Sequence, residues 1–272
     1  MKNVLFATTA LIATAGVASA EITLGGSARF GLAYNEGATE STRVEQRMRI
    51  NITGIATTDA GVKFEGRFRL ESNEDSNSAI AGRGPGAAGF AVSYEGLRVD
   101  VGNVSDVIDS GDVVDFYGYG IGLTSFIEQS SNAALSLTGF GAGSQDQTTL
   151  KARYTAGDFT VSASFSDRTA TTTVTQRTQY QIGAGYNFGN YSVGAAFGSN
   201  QFDAAATADD DFWAASFGGS FGALAFSILA SDSDTQTDAT FGASVNYDLS
   251  SATSLRAVVS DGGSTTAETS YG

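Results

Sequence analysis

Thr42-Arg43-Val44-Glu45-Gln46-Arg47-Met48-Arg49-Ile50-Asn51-Ile52, followed after a short polar link by Val62-Lys63-Phe64-Glu65-Gly66-Arg67-Phe68-Arg69-Leu70, decides the fold. Val44, Met48, Ile50 and Ile52 share one parity with Val62, Phe64, Phe68 and Leu70. The opposite parity holds Arg43, Arg47, Arg49, Asn51, Lys63, Glu65, Arg67 and Arg69. Successive side chains of a strand point to opposite faces, so each segment reads as a strand with one apolar and one charged face. A soluble sandwich would bury the apolar face against a second sheet. A transmembrane barrel turns it to lipid and keeps the charged face in a water-filled lumen.

The rest of the chain repeats this design. Thirteen strands are expected near 22–34, 42–55, 61–71, 88–95, 97–104, 148–155, 158–167, 176–187, 190–199, 210–219, 222–231, 239–248 and 252–260. The links alternate. Brief ones such as Glu95-Gly96 and Phe188-Gly189-Asn190 follow the even strands. Mostly longer polar ones, such as Asn35–Ser41, Ser72–Ala87 and Asn200–Asp209, follow the odd strands. Barrel hairpins have one short periplasmic end and one long external end, whereas a sandwich imposes no such regularity. Aromatic residues at strand ends, Tyr186 and Phe188 among them, suit interfacial girdles. The 34 glycines suit bends and turns, and the single proline, Pro85, falls in a loop. The fold class is therefore all-β, an antiparallel transmembrane barrel.

Composition narrows the function. Lys2, the apolar run Leu5 to Val17 and the small-x-small site Ala18-Ser19-Ala20 read as a signal peptide over residues 1–20, with the barrel domain over 21–272. With Lys2 set aside, 14 of the 15 basic residues face 29 acidic ones, a net charge of −15, which opposes a nucleic-acid partner. There is no cysteine for disulfides and no histidine for triads, imidazole zinc sites or histidine acid–base chemistry. The reading is thus a non-enzyme. Rival readings are a secreted soluble β-sandwich used for binding and an adhesin-like repeat protein. No short repeat such as Gly-Gly-x-Gly-x-Asp supports the latter.

Residues 105–147 break the ladder. A segment this long is functional or disordered, and Phe116, Tyr117, Tyr119, Phe126 and Phe140 are too apolar for a free tail. Folding into the lumen would bury it. It would bring in Asp106, Asp109, Asp112, Asp115 and Glu128 to face a basic wall of Arg43, Arg47, Arg49, Lys63, Arg67 and Arg69. A hairpin turning about Asp59 places Arg49 opposite Arg69 and Asn51 opposite Arg67, and such like charges repel unless acids or passing anions compensate. The wall argues for anion passage; the global charge and the loop acids tilt the expectation toward cations.

Glu21-Ile22-Thr23-Leu24 with Gly26, Arg29-Phe30-Gly31-Leu32, Arg47-Met48-Arg49-Ile50-Asn51-Ile52 and Val101-Gly102-Asn103-Val104 resemble the Gram-negative general porins of the alphaproteobacterial, Rhodobacter-like type. The resemblance implies a 16-stranded barrel in the outer membrane, contacting its lipid and assembled as a homotrimer. It further implies an inward-folded third external loop whose acids face arginines, and passive diffusion of ions and small hydrophilic solutes. No cofactor is required. Calcium is bound by loop acids in some relatives, and the candidates here are Asp106, Asp109 and Asp112. Family members end on an aromatic residue, whereas this chain stops at Ser270-Tyr271-Gly272 where a fourteenth strand starts. Thirteen strands and a stub do not close sixteen, so the expectation is a parent with roughly forty further residues, on the spacing of ten-residue strands and their loops.

Overall fold

The structure is a computed structural model that describes residues 19–34, 42–75, 78–83, 87–120, 135–141, 147–169, 176–203, 208–263 and 269–271. The expected signal peptide falls outside these up to residue 18, and Ser19 and Ala20 open the first strand. The strands are β1 (Ser19–Tyr34), β2 (Thr42–Thr57), β3 (Lys63–Asp75), β4 (Ser78–Arg83), β5 (Gly89–Tyr94), β6 (Leu97–Gly102), β7 (Gln147–Ala156) and β8 (Phe159–Arg168). They continue as β9 (Arg177–Phe188), β10 (Tyr191–Phe202), β11 (Asp210–Phe221), β12 (Leu224–Ser233), β13 (Thr240–Ser250), β14 (Thr253–Asp261) and β15 (Ser270–Tyr271). All lie in one antiparallel sheet in chain order, except that β4 pairs with β3 beside the main path.

The thirteen expected strands are all present, and the stub is β15. The segment Ser72–Ala87, expected as a loop, instead lengthens β3 to Asp75 and folds back as β4. A two-residue turn reverses the chain where both central residues take φ > 0. Glu95 and Gly96, at φ 45 and 86, form the turn between β5 and β6, the paired positive dihedrals that match strand twist.

Outward residues are apolar and exposed: Phe30 at 85%, Ile182 at 64% and Phe241 at 63%. Inward neighbours on the same strands are buried and mostly small or polar, as in the alternation of β8, β10 and β11. At the short-turn ends Tyr186, Phe188, Tyr191, Phe217 and Phe226 form a continuous aromatic cluster, with ring centroids 5.5–6.4 Å apart. Apolar side chains outside and polar ones within invert a soluble fold. The buried apolar cluster is accordingly made by the loop: Val107, Ile108, Val113, Val114 and Phe116 pack on Ala196, Phe212, Ala214 and Leu229 of β10 to β12.

Candidate functional site: the loop within the barrel

The segment after β6 crosses the barrel interior, and its contacts trace the curvature of the sheet. Ile108 N–H donates to Gln181 Oε1 on β9 at 3.0 Å, Asp115 N–H to Ser216 Oγ on β11 at 2.8 Å, and Tyr119 N–H to Ser244 Oγ on β13 at 2.9 Å. The returning limb meets β3, where Arg69 Nη1 donates to Phe140 O at 2.8 Å. One loop can reach strands from β3 to β13 only if their inner faces surround it.

Its seat is bare backbone. Gly183 and Gly185 on β9 and Gly194 on β10 face inward under Val113. A Cβ on Gly185 would lie 3.0 Å from the Val113 carbonyl oxygen, one on Gly183 2.8 Å from Val113 Cγ2, and one on Gly194 would collide with that carbonyl. These glycines sit in mid-strand, not at the bends and turns expected of them. They remove the side-chain layer so that the loop lies directly on the ladder.

Two fasteners hold it. Asp112 meets Lys151 Nζ at 2.6 Å and Arg153 Nη1 at 2.5 Å, both on β7. Burial pushes the Asp112 carboxyl up, but Lys151 and Arg153 overcome this and hold it below the usual carboxylate range. At the root, fully buried Asp106 accepts N–H groups from Asp109 at 2.8 Å and from Thr138 at 2.5 Å, joining the outgoing and returning limbs. Burial is the main cause that pushes its carboxyl up to about 7, and the nearby Asp109 charge adds to it. Asn103 completes the root by exchanging hydrogen bonds with Gly141 at 2.9 and 3.1 Å.

The expected acids therefore take separate roles. Asp106 is sealed in the root and Asp112 is matched on β7. Asp109 accepts the Tyr117 hydroxyl, whose ionisation burial and that carboxylate oppose, so Tyr117 remains a donor. Exposed Asp115 accepts Gly118 N–H at 2.9 Å. Glu128 and Phe126 lie outside the described residues. Asp106, Asp109 and Asp112 do not converge: two are committed to N–H groups or cations, and among the described residues no cluster of three metal-ligating side chains exists.

On the opposing wall the register corrects the expected pairing. The turn spans Thr58–Val62, with Gly61 at φ 82, and centres one residue later than Asp59. That shift moves each partner by two positions. Arg49 faces Glu71 and bonds it at 2.6 Å; Asn51 faces Arg69 and accepts its Nε–H at 2.9 Å; Thr53 faces Arg67. Lys63 and Arg98 share Glu65 at 2.5 and 2.7 Å. Arg47 is 8% exposed, while Arg43 is described only as the β2 partner of Ala33. The guanidinium carbons of Arg67 and Arg69 lie 4.1 and 4.5 Å from the centroid of Phe140. Lys151, Arg153 and Phe140 were not among the expected site residues. The β7 pair alternates inward with Gln147 and Thr149, so only the loop's path distinguishes it.

A family model described as Gram-negative porin matches residues 7–272. A porin of Fuscovulum blasticum is 44% identical over 93 residues, covering 33% of this chain and 32% of that protein. A porin of Rhodobacter capsulatus is 29% identical over 196 residues, covering 69% of this chain and 58% of that protein. The chain thus spans about a third and somewhat over half of the length of these two relatives. Among solved structures, variants of Rhodopseudomonas blastica porin superpose with TM-scores of 0.56 and 0.57 at 22–24% identity, covering 89% of this chain and 95% of theirs, a likeness of fold. With the model matched over nearly its whole length and the lumen-folded loop in place, this chain belongs to the Gram-negative porin family.

Proposed function

We propose that this protein forms an outer-membrane pore through which ions and small hydrophilic solutes diffuse passively, and that it assembles as a homotrimer. The observation that carries the reading is the inverted distribution of side chains: an exposed apolar belt outside, and a polar, charged interior crossed by a loop. Passive diffusion needs no bond-making groups. The cross-section is narrowed between the loop and the β2–β3 wall of Arg47, Arg49, Lys63, Arg67 and Arg69. The screening length at physiological salt is about 8 Å, so fixed charges beside a narrow passage sort solutes, as they do in other filters.

Planar-bilayer recording of this chain beside a form extended by the expected C-terminal strands, in which the barrel closes, tests this. Stepwise ohmic openings are expected, and replacing Arg47, Arg49, Arg67 and Arg69 together by glutamine should move the reversal potential toward cations. An unchanged potential would remove those residues from the passage. A water-soluble β-rich monomer that never opens a channel would overturn the pore itself.

A further inference from the structure

Two cations of the β3 wall differ from the others. Arg49, Lys63, Arg98, Lys151 and Arg153 each meet a carboxylate within ion-pair distance. Among the described residues, Arg67 and Arg69 meet none. Arg69 turns to two neutral acceptors, Asn51 Oδ1 and Phe140 O, and Arg67 to the ring of Phe140. Of the acids near them, Glu65, Glu71, Asp100 and Asp112 are matched by bases, and Asp109 accepts the Tyr117 hydroxyl. Among the described residues these are therefore the two β3 cations that no carboxylate meets at ion-pair distance, although the charges of Asp100, Glu65 and Asp112 reach Arg67 and those of Glu71 and Asp109 reach Arg69.

We infer that Phe140 is a positioning residue that holds Arg67 and Arg69 side by side as a paired-guanidinium subsite for oxyanions, the class of sulfate, phosphate and carboxylate groups. The inference rests on the pore reading and deepens it by naming a solute class. Residues two apart on one face of a strand lie about 7 Å from each other, so two like charges there repel and would swing apart if free. An aromatic face attracts both without neutralising either. A carboxylate in that place would cancel the charge; a ring leaves it available. The ring is itself pinned, because Phe140 N–H donates to Ser105 Oγ at 3.1 Å and Gly141 is held by Asn103. The planar guanidinium fork then matches the geometry of an oxyanion, with two N–H groups directed to two oxygens.

The test is a calorimetric titration of the full chain in detergent micelles with sodium sulfate, at constant ionic strength. Chloride conductance in planar bilayers with added sulfate is recorded in parallel. Wild type and Phe140→Tyr should bind sulfate saturably. Phe140→Leu, of similar bulk but without the ring, should bind about two- to fivefold more weakly, and Arg67→Gln should lose the binding. Block of chloride conductance should follow the same order. Equal affinity in wild type and Phe140→Leu, or a Phe140→Tyr chain that behaves like Phe140→Leu, would overturn the positioning role. Absence of sulfate binding in wild type would overturn the subsite. Sulfate binding without channel openings would instead overturn the pore reading and leave the subsite standing.

Discussion

The inner wall has two unlike sides built on the same alternation. On β2 and β3 the inward positions carry long charged side chains, whereas on β9 and β10 they carry Gly183, Gly185, Gly194 and Ala196. The first side keeps the loop at the distance of a guanidinium and a ring. The second lets a carbonyl rest on the ladder. Where the loop lies is thus decided by side-chain length: it rests on the bare side and stands off from the backbone of the charged side.

Cutting the fasteners should give the largest effect. Asp112→Asn leaves Lys151 and Arg153 facing each other beside a neutral amide. Asp112 is partly buried and Arg153 partly exposed, so the cost lies between the exposed-pair value of about 1 kcal/mol and the buried-pair value of about 3–5 kcal/mol. A drop in the unfolding midpoint in detergent is expected, together with raised channel conductance as the loop lifts. An unchanged midpoint and conductance would mean that the β7 contacts do not hold the loop.

Filling the bare side comes next. Gly194→Ala places a methyl against the Val113 carbonyl, and overpacking of this kind costs about 1–3 kcal/mol. Gly25→Ala is the matched control, because a Cβ there has nothing within 4 Å. If both variants unfold alike, the glycine seat has no special role.

Acid should separate the buried Asp106 from the partly buried Asp112. Asp106 has a folded pKa of about 7, above its unfolded value of 3.8, so the native state takes up the proton first. Its contribution to stability is fully present below the unfolded value and is lost as pH rises through about 7. Asp112 has the opposite sign: its folded value is depressed, so its contribution is present above the ordinary carboxylate range and is lost as pH falls through the lowered value. Thermal unfolding should therefore show greater stability at pH 5 than at pH 8, and a fall in stronger acid. Asp106→Asn should abolish the first change and spare the second.

The smallest effect belongs to the charged side. Arg49 and Glu71 are paired but partly exposed, at 29% and 9% of their side chains. A double-mutant cycle on Arg49→Gln and Glu71→Gln should give a coupling of about 1 kcal/mol or less. A larger coupling would make that wall a structural fastener equal to Asp112.

Period-two alternation made the strands, the outward belt and the inward arginines of β2 and β3 readable from the chain, because burial in a sheet follows parity residue by residue. The aromatic content of residues 105–147 was likewise enough to require that the segment pack on something. Three things were not readable. The register of β2 on β3 depended on a one-residue displacement of the turn centre, which changed Arg49's partner from an arginine to Glu71. The strand β4 was hidden because Ser78–Arg83 is short and set between a polar run and Gly84-Pro85-Gly86.

The site partners were hidden for a further reason. Nothing in the alternation of β7 distinguishes Lys151 and Arg153 from other lumen residues, and nothing local marks Gly183, Gly185 and Gly194 as a seat. By itself the sequence determined the sheet, its two faces and the presence of an inserted loop, since those depend on spacing within a strand and on local hydrophobicity. Tertiary structure alone decided which acid meets which base, where the loop lies and which arginines meet a ring instead of a carboxylate. Those outcomes depend on distances between residues far apart in the chain, and only the curved sheet brings them together.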